Sequence, residues 1–334
     1  MKRKSSRIIT RIFFKYLLPL FLQKLIRGGE SFRNYFHYFS RKKCIYIKIC
    51  VPNWRVAHEW GDFHLAKGLK KYFERRGYRA IIQCITEWKN RGKKQDIILT
   101  LRGLTKYIPD PDQLNIMWLI SHPNEITISE LELFDYVFVA SSKFAREIGE
   151  KTSVDIKVLN QCTDPEMFYP LQNQRKEYDL LFVGNSRNIF RQILRDLIPT
   201  QFNLKVFGWG WDQFLDTELL GSTLIPNSRL NKIYNQTTIL LNDHWQDMKV
   251  NGFISNRIYD GVASGSVIVS DKISELESLF PESVFCYETK DELDTITHKL
   301  LKSLPKARSA IGQHTFENRV NTLIQCISKY NEST

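Results

Sequence analysis

Four things are scarce or missing in this sequence of 334 residues. It has only 16 glycines and 11 prolines, no C-x-x-C pair among its six cysteines, neither G-x-G-x-x-G nor G-x-x-x-x-G-K-[ST], and only a short uncharged apolar run, Tyr16 to Gln23, in its most hydrophobic segment. Each absence removes a class. Few Gly and Pro exclude collagenous and low-complexity chains. Cysteines at 44, 50, 84, 162, 286 and 326 have no metal-ligand spacing, so neither a zinc site nor a disulfide framework is indicated, and reduced thiols fit best. The missing glycine-rich motifs disfavour a dehydrogenase and a P-loop nucleotidase. A spanning helix needs about 20 apolar residues, so a transmembrane anchor is not expected, and no small-residue cleavage site marks a secretory signal. What remains, 43% hydrophobic and 25% charged, is a globular chain long enough for two cores.

The net charge of +12 suggests a nucleic-acid binder until it is located. Residues 1–43 hold twelve Lys/Arg against the single acid Glu30, whereas the other 291 residues carry 36 Lys/Arg against 35 Asp/Glu. The body is nearly neutral, which argues against a phosphate-backbone binder. In the basic segment Arg3, Arg7, Arg11 and Lys15 form one helical stripe, and Ile9, Phe13, Tyr16, Leu17 and Leu20 fall opposite. Residues 1–43 are therefore expected to lie on an anionic membrane face, residues 1–28 making the contact; a helix packed on the body is the alternative.

From Lys43 onward short β-branched or aromatic runs alternate with amphipathic stretches, the pattern of parallel sheets crossed by helices. Strands are expected at 45–51, 79–85, 96–101, 115–121, 135–140 and 155–159, with a clear helix at 63–76. The polar, Pro170-containing stretch 167–179 reads as a linker. A second series then places strands at 179–184, 203–207, 223–225, 237–242, 267–270 and 284–287, with helices near 188–197, 228–235, 255–264, 290–303 and 306–330. Two facing doubly wound α/β domains follow, at 44–170 and 171–334, with the last helix able to cross back.

Open parallel sheets bind ligands beyond the carboxyl ends of their strands. That rule selects Asp62 and His64, then Arg102 and His122 in the first half. In the second half it selects Gly184-Asn185-Ser186, Gly208-Trp209-Gly210-Trp211, Asn242-Asp243-His244 and Asp271. Gly184 and Asn185 end a strand in a small-residue turn whose amides face the cleft, and Arg187 and Arg191 add charge for a diphosphate. Arg257 and Asp260, three apart near a helix start, can both face the cleft, where a carboxylate accepts from two ribose hydroxyls; a surface Arg–Asp pair has the same spacing.

The stretch from Asn251 to Asp271, N-G-F-I-S-N-R-I-Y-D-G-V-A-S-G-S-V-I-V-S-D, resembles the donor site of bacterial GT-B-fold glycosyltransferases of the spore-maturation (CgeB-like) type, distant relatives of the glycogen-synthase-like retaining enzymes. W-G-D-F-H at 60–64, D-I-I-L-T-L-R-G at 96–103, W-L-I-S-H-P at 118–123, D-Y-V-F-V-A-S-S at 135–142, T-D-P-E-M-F-Y-P at 163–170 and F-V-G-N at 182–185 extend the resemblance over about 44–330. It implies a GT-B fold, Asp260 as the ribose carboxylate with Arg257 before it, and Gly184, Asn185 and Arg191 as the diphosphate turn. The retaining group has a second acid eight positions before the ribose carboxylate. Here that position is Gly252, with Asp243 or Asp247 as possible replacements.

Asp62 and His64 are the candidates for proton transfer, because either group accepts a proton near neutral pH in a suitable setting. His122 and His244 are candidate contacts to donor phosphate or sugar, with a structural His the alternative, and Arg102 a candidate for the leaving group. Asp110-Pro111-Asp112 resembles a metal-binding Asp-x-Asp, but its prolines make it a turn. The expectation is a metal-independent glycosyltransferase without a cofactor, its nucleotide-sugar donor being a substrate. The acceptor would be a surface glycan or lipid-linked, and the place the inner face of the cytoplasmic membrane. A nucleotide-sugar epimerase on this fold, or an inert nucleotide-sugar-binding subunit, is the rival.

Overall fold

The computed structural model describes residues 44–305 and 311–333; the basic segment 1–43 lies outside them. Two parallel sheets organise the chain. The first has β1 (Cys44–Ile49), β2 (Arg79–Gln83), β3 (Ile97–Arg102), β4 (Leu114–Leu119), β5 (Tyr136–Val139) and β6 (Ile156–Val158) in the order β2-β1-β3-β4-β5-β6. The second has β7 (Tyr178–Val183), β8 (Leu204–Phe207), β9 (Thr237–Asn242), β10 (Val267–Asp271) and β11 (Val284–Tyr287) in the order β11-β10-β9-β7-β8. Strands covered on both faces read as nearly continuous apolar runs, as Cys44–Ile49 and Ile97–Arg102 do, buried at every position and broken only by Lys48, Thr100 and Arg102.

The first crossover is α1 (Gly61–Arg75), which lays Leu65, Ala66, Leu69, Tyr72 and Phe73 on the sheet. It stops because Gly77, at φ 81°, takes the left-handed position. The Tyr78 amide then reaches the Phe73 carbonyl and the Gly77 amide that of Glu74, both at 3.1 Å. Short α2 (Ile128–Leu131) and α3 (Ser142–Gly149) complete the first domain. The second adds α4 (Gln192–Leu197), α5 (Asn227–Asn235), α6 (Gln246–Val250), α7 (Asn256–Ala263), α8 (Leu276–Leu279) and α9 (Lys290–Lys302).

The closing helix, α10 (Phe316–Ser333), returns to the first domain. Phe316, Val320, Leu323, Cys326 and Ile327 join its core beside α1, and the Phe316 ring fills a notch that exists because residue 68 is glycine: a Cβ there would stand 2.3 Å from the ring.

The chain passes between domains twice, and the passes are paired. The Thr163 amide donates to the His314 carbonyl and the Phe316 amide to the Thr163 carbonyl, each at 3.1 Å. Arg319 donates to the carbonyls of Asn160 (2.6 Å), Gln161 (3.1 Å) and Gln313 (3.1 Å), binding both passes to one guanidinium. A second seam joins Ser141 Oγ to the Asn251 carbonyl and Lys143 Nζ to that of Val250, both at 2.6 Å, while Phe253 packs in the first domain's core.

Three expected elements differ. No strand forms at 223–225, where a short run between Gly221 and Pro226 leaves Leu224 exposed; only an isolated bridge, Val206 to Leu220, extends the edge. The helix expected from 188 starts at Gln192, because Arg187 and Asn188 are left-handed at φ 51° and 62°. Of the helix expected at 306–330, residues 306–310 lie outside the described residues; the described helix starts at Phe316, because the backbone just before it is occupied with Thr163.

Gly68→Ala should destabilise the fold by about 1–3 kcal/mol, overpacking against Phe316 outweighing a helix-propensity gain of about 1 kcal/mol. Denaturant melts check this: the cost should shrink in a Phe316→Leu background, and an equal cost there would separate the notch from the ring.

Candidate functional site

In each sheet the connections after two neighbouring strands leave in opposite directions, opening a crevice at the carboxyl ends: β1 and β3 in the first sheet, β7 and β9 in the second. Asp62 stands at the first. It is the second residue of α1, and Gly103, just after β3, lets it approach: a Cβ at 103 would lie 3.3 Å from Asp62 Oδ2 and 3.2 Å from Ser121 Oγ. Burial pushes the Asp62 carboxyl up to about 6, opposed by its own amide and by the charge of Arg187 from the other domain.

Arg187 is thus the residue through which the second crevice meets the first. Burial lowers its pKa, Arg191 adds to that, and the carboxylates of Asp62 and Asp247 oppose it. His122, left-handed at φ 55°, places Nδ1 2.9 Å from Ser121 Oγ. Burial lowers its pKa too, opposed by Asp247 and reinforced by Arg187. Asp62, His122, Arg187 and Asp247 therefore form one electrostatic group across the cleft.

The turn after β7 is knitted into the loop after β8. The Gly184 amide donates to the Phe207 carbonyl (2.8 Å) and the Ser186 amide to that of Trp209 (3.0 Å). Asn185 Oδ1 accepts from the Trp209 amide at 2.9 Å, Ser186 Oγ donates to the Gly210 carbonyl at 2.6 Å, and Trp211 Nε1 donates to the Gly184 carbonyl at 2.7 Å. Gly184 and Gly208 touch backbone to backbone, a Cβ at 208 falling 2.1 Å from the Gly184 oxygen. A Cβ at 184 would lie 2.6 Å from Arg257 Nη2, so that glycine also admits the arginine, whose Nη1 donates to Asn242 Oδ1 at 2.8 Å.

Asp260, one helical turn on from Arg257, accepts from Thr163 Oγ1 at 2.5 Å and from Asn256 Nδ2 at 3.1 Å. Burial pushes its carboxyl up to about 7, against those two hydrogen bonds; Asp164 adds to the rise and Arg257 opposes it. The carboxylate touches the first interdomain pass directly.

Other candidates are occupied elsewhere. Arg102, 1% exposed, pairs with buried Glu130 (Nε to Oε1, 2.7 Å) and donates to the Glu125 carbonyl, so it is a strut under the His122 loop and not a contact in the cleft. Arg191 caps α4 and is clasped by buried Asp243, Nε to Oδ2 at 3.1 Å, with its guanidinium 4.1 Å above Trp245. His244 accepts the Ser255 amide on Nε2 at 3.0 Å and so carries its proton on Nδ1, 2.7 Å from Asp271; it anchors the start of α7. His64 lies two residues, hence just over half a turn, from Asp62 and spends Nε2 on the His58 carbonyl at 3.0 Å. Gly252, left-handed at φ 74°, packs against Ser141, a Cβ there lying 3.0 Å from its Oγ, so position 252 belongs to the interdomain seam. Asp243 is spent on Arg191, which leaves Asp247 as the acid near the cleft. Asp110 Oδ1 accepts the Asp112 amide at 3.2 Å, the turn expected there.

The strand-end rule includes Gly208 and Gly210, which the structure places against the anion turn. Sequence reasoning missed Thr163 as part of the site, and no local signal marks it, since its partner is 97 positions away.

Residues 175–325, the part of the chain that carries the anion turn and Asp260, match the glycosyl transferase-like family. No curated protein matches the chain. Among solved structures it is similar to sucrose-phosphate synthase of Thermosynechococcus elongatus (10% identity, 87% of this chain and 100% of that one, TM-score 0.60). It is also similar to AviGT4, a glycosyltransferase involved in avilamycin A biosynthesis (14%, 84% and 96%, 0.60), and to phage T4 BGT, solved with UDP and Mn2+ (14%, 86% and 97%, 0.51). At these identities the likeness is one of architecture: the chain has the GT-B fold.

Asp62 and Asp260 bind protons more tightly folded than unfolded. The stability they contribute is full below the ordinary carboxyl value of 3.8 and is lost as pH rises through about 6 and about 7. Relative to wild type, Asp260→Asn should therefore gain urea resistance between pH 4.5 and pH 8. A gap independent of pH would show that this carboxyl is not perturbed.

Proposed function

We propose that the protein is a glycosyltransferase moving a sugar from a nucleotide-activated donor to a glycan or lipid-linked acceptor. The observation that carries this reading is the meeting of the two crevices: Asp62 of the first domain within electrostatic reach of Arg187, on the turn in the part of the chain that matches the glycosyl transferase-like family. In this reading Asp260 accepts from the ribose hydroxyls, displacing Thr163 and Asn256. Arg187, Arg257 and the amides of Asn185 and Arg187 hold the diphosphate, and Asp62, ionised above pH 6, takes the acceptor hydroxyl's proton as the new glycosidic bond forms. The bond from the anomeric carbon to the diphosphate breaks, and the leaving charge is met by arginines. Arg191 acts indirectly, its pair with Asp243 fixing the Trp245 ring beneath Arg187.

The test is incubation with a panel of nucleotide sugars, following free nucleotide and the sugar product. Nucleotide release supports transfer; epimerised sugar without release supports the epimerase; tight binding without turnover supports the inert subunit. Asp260→Asn should weaken nucleotide binding by about 1–3 kcal/mol, because an amide is a poorer acceptor than a carboxylate. Wild-type affinity should rise with pH through about 7 as that carboxyl ionises. Asp62→Asn should instead lower turnover and leave affinity nearly unchanged. Activity should survive EDTA; loss restored by Mn2+ would replace the arginine-held leaving group with a metal-held one.

Membrane attachment belongs to the same proposal. No described helix is long and apolar enough to cross a bilayer. The excess of basic residues in 1–43 favours attachment to anionic lipid at about 1 kcal/mol per basic residue near the surface. Full-length protein should co-sediment with anionic vesicles at low salt and release at high salt, while a chain lacking residues 1–28 should stay in solution. Equal binding by both would reject the tether.

A further inference from the structure

The loop after β8 holds two tryptophans in opposite situations. Trp211 is 1% exposed and hydrogen-bonds the Gly184 carbonyl, whereas Trp209 is 59% exposed. Leaving an indole in solvent gives up the burial that usually stabilises so large a side chain. Yet the Trp209 backbone is closely held, its amide on Asn185 Oδ1 at 2.9 Å and its carbonyl under the Ser186 amide at 3.0 Å.

The residues on either side are glycines for steric reasons. Gly208 sits at φ 133° with no room for a Cβ against the Gly184 oxygen, and Gly210 sits at φ 80° with a Cβ position 2.7 Å from Ser186 Oγ. The exposed ring is therefore carried on a backbone held by the frame that shapes the anion turn. Trp245, after β9, is already covered by Arg191 at 4.1 Å and Arg187 at 5.2 Å.

An exposed indole on a held backbone beside an anion site matches a ligand that is flat and aromatic at one end and anionic at the other, which is the chemistry of a nucleoside diphosphate. We propose that Trp209 is the platform on which the nucleobase of the donor stacks, making it a determinant of nucleotide affinity. This rests on the glycosyltransferase reading. Stacking is worth enough per base that truncating the ring should cost roughly tenfold in affinity.

The experiment is calorimetry of full-length wild type, Trp209→Ala and Trp209→Phe with UDP, dTDP, GDP and ADP, and with ribose 5-phosphate as the probe lacking a base. Circular dichroism confirms that the variants are folded. For the nucleotide that wild type binds best, Trp209→Ala should weaken binding about tenfold and Trp209→Phe much less, while ribose 5-phosphate binds all three alike. Quenching of tryptophan emission by that nucleotide should be reduced in Trp209→Phe. Nucleotide binding unchanged in Trp209→Ala, or an equal loss for ribose 5-phosphate, overturns the platform. An unchanged nucleotide affinity with a raised acceptor KM would assign the ring to the acceptor instead. Failure of wild type to bind any of the nucleotides would overturn the glycosyltransferase reading itself, and the platform with it.

Discussion

Everything in the cleft depends on how the two interdomain passes are joined. Thr163 uses its amide and carbonyl to bind the second pass and its hydroxyl to bind Asp260, so one residue supports both the hinge and the carboxylate of the second domain. The next residue, Asp164, accepts from Tyr72 Oη at 2.9 Å and Lys71 Nζ at 2.6 Å, and Glu166 is gripped by Arg75. Those three donors lie at the far end of α1, whose first turn carries Asp62. A helix of 15 residues is a stiff rod, so the position of Asp62 is tied through α1 to the segment that touches Asp260. Movement at the hinge therefore cannot leave both carboxylates undisturbed.

A second constraint is steric. The second sheet brings the turns after β7 and β8 so close that Gly184 and Gly208 meet without side chains, and Arg257 uses the space above Gly184. Most of the turn's polar backbone is consumed in holding the two loops together, as expected of buried or half-buried amides. The turn is rigid before any ligand arrives, and its remaining donors are presented without the entropy loss that ordering a loose loop would carry.

Legibility followed sequence distance. Continuous apolar runs reported the strands of both parallel sheets, because strands buried on two faces leave no other pattern; only the run at 223–225, hemmed in by Gly221 and Pro226, failed. The strand-end rule selected Asp62, the charge after the 179–184 strand selected Arg187, and the spacing and resemblance at 251–271 selected Asp260, all from local order alone. The same local readings also picked Arg102, Arg191, His64 and His244, each a plausible ligand by type. What removes them from the open cleft is a partner no window can contain: Glu130, Asp243 and Asp271 lie 28, 52 and 27 residues from Arg102, Arg191 and His244. His64 is different, since its partner is only six residues away and the half-turn separating it from Asp62 was readable from helical geometry.

The two raised carboxyls also differ in kind. Asp260 is desolvated yet accepts two hydrogen bonds, which favour its ionised form; a ligand that replaces these donors with two hydroxyls preserves that balance while removing water, so its occupied and empty states can both be anionic. Asp62 has its own amide and the distant charge of Arg187 to oppose burial. Neutralising Arg187 with a bound anion would remove part of that opposition and push the Asp62 carboxyl higher, making it a better proton acceptor in the occupied cleft than in the empty one. In the proposed reaction Arg187 would thus couple the anion turn to the basicity of Asp62 by charge alone, a coupling strengthened wherever water is excluded.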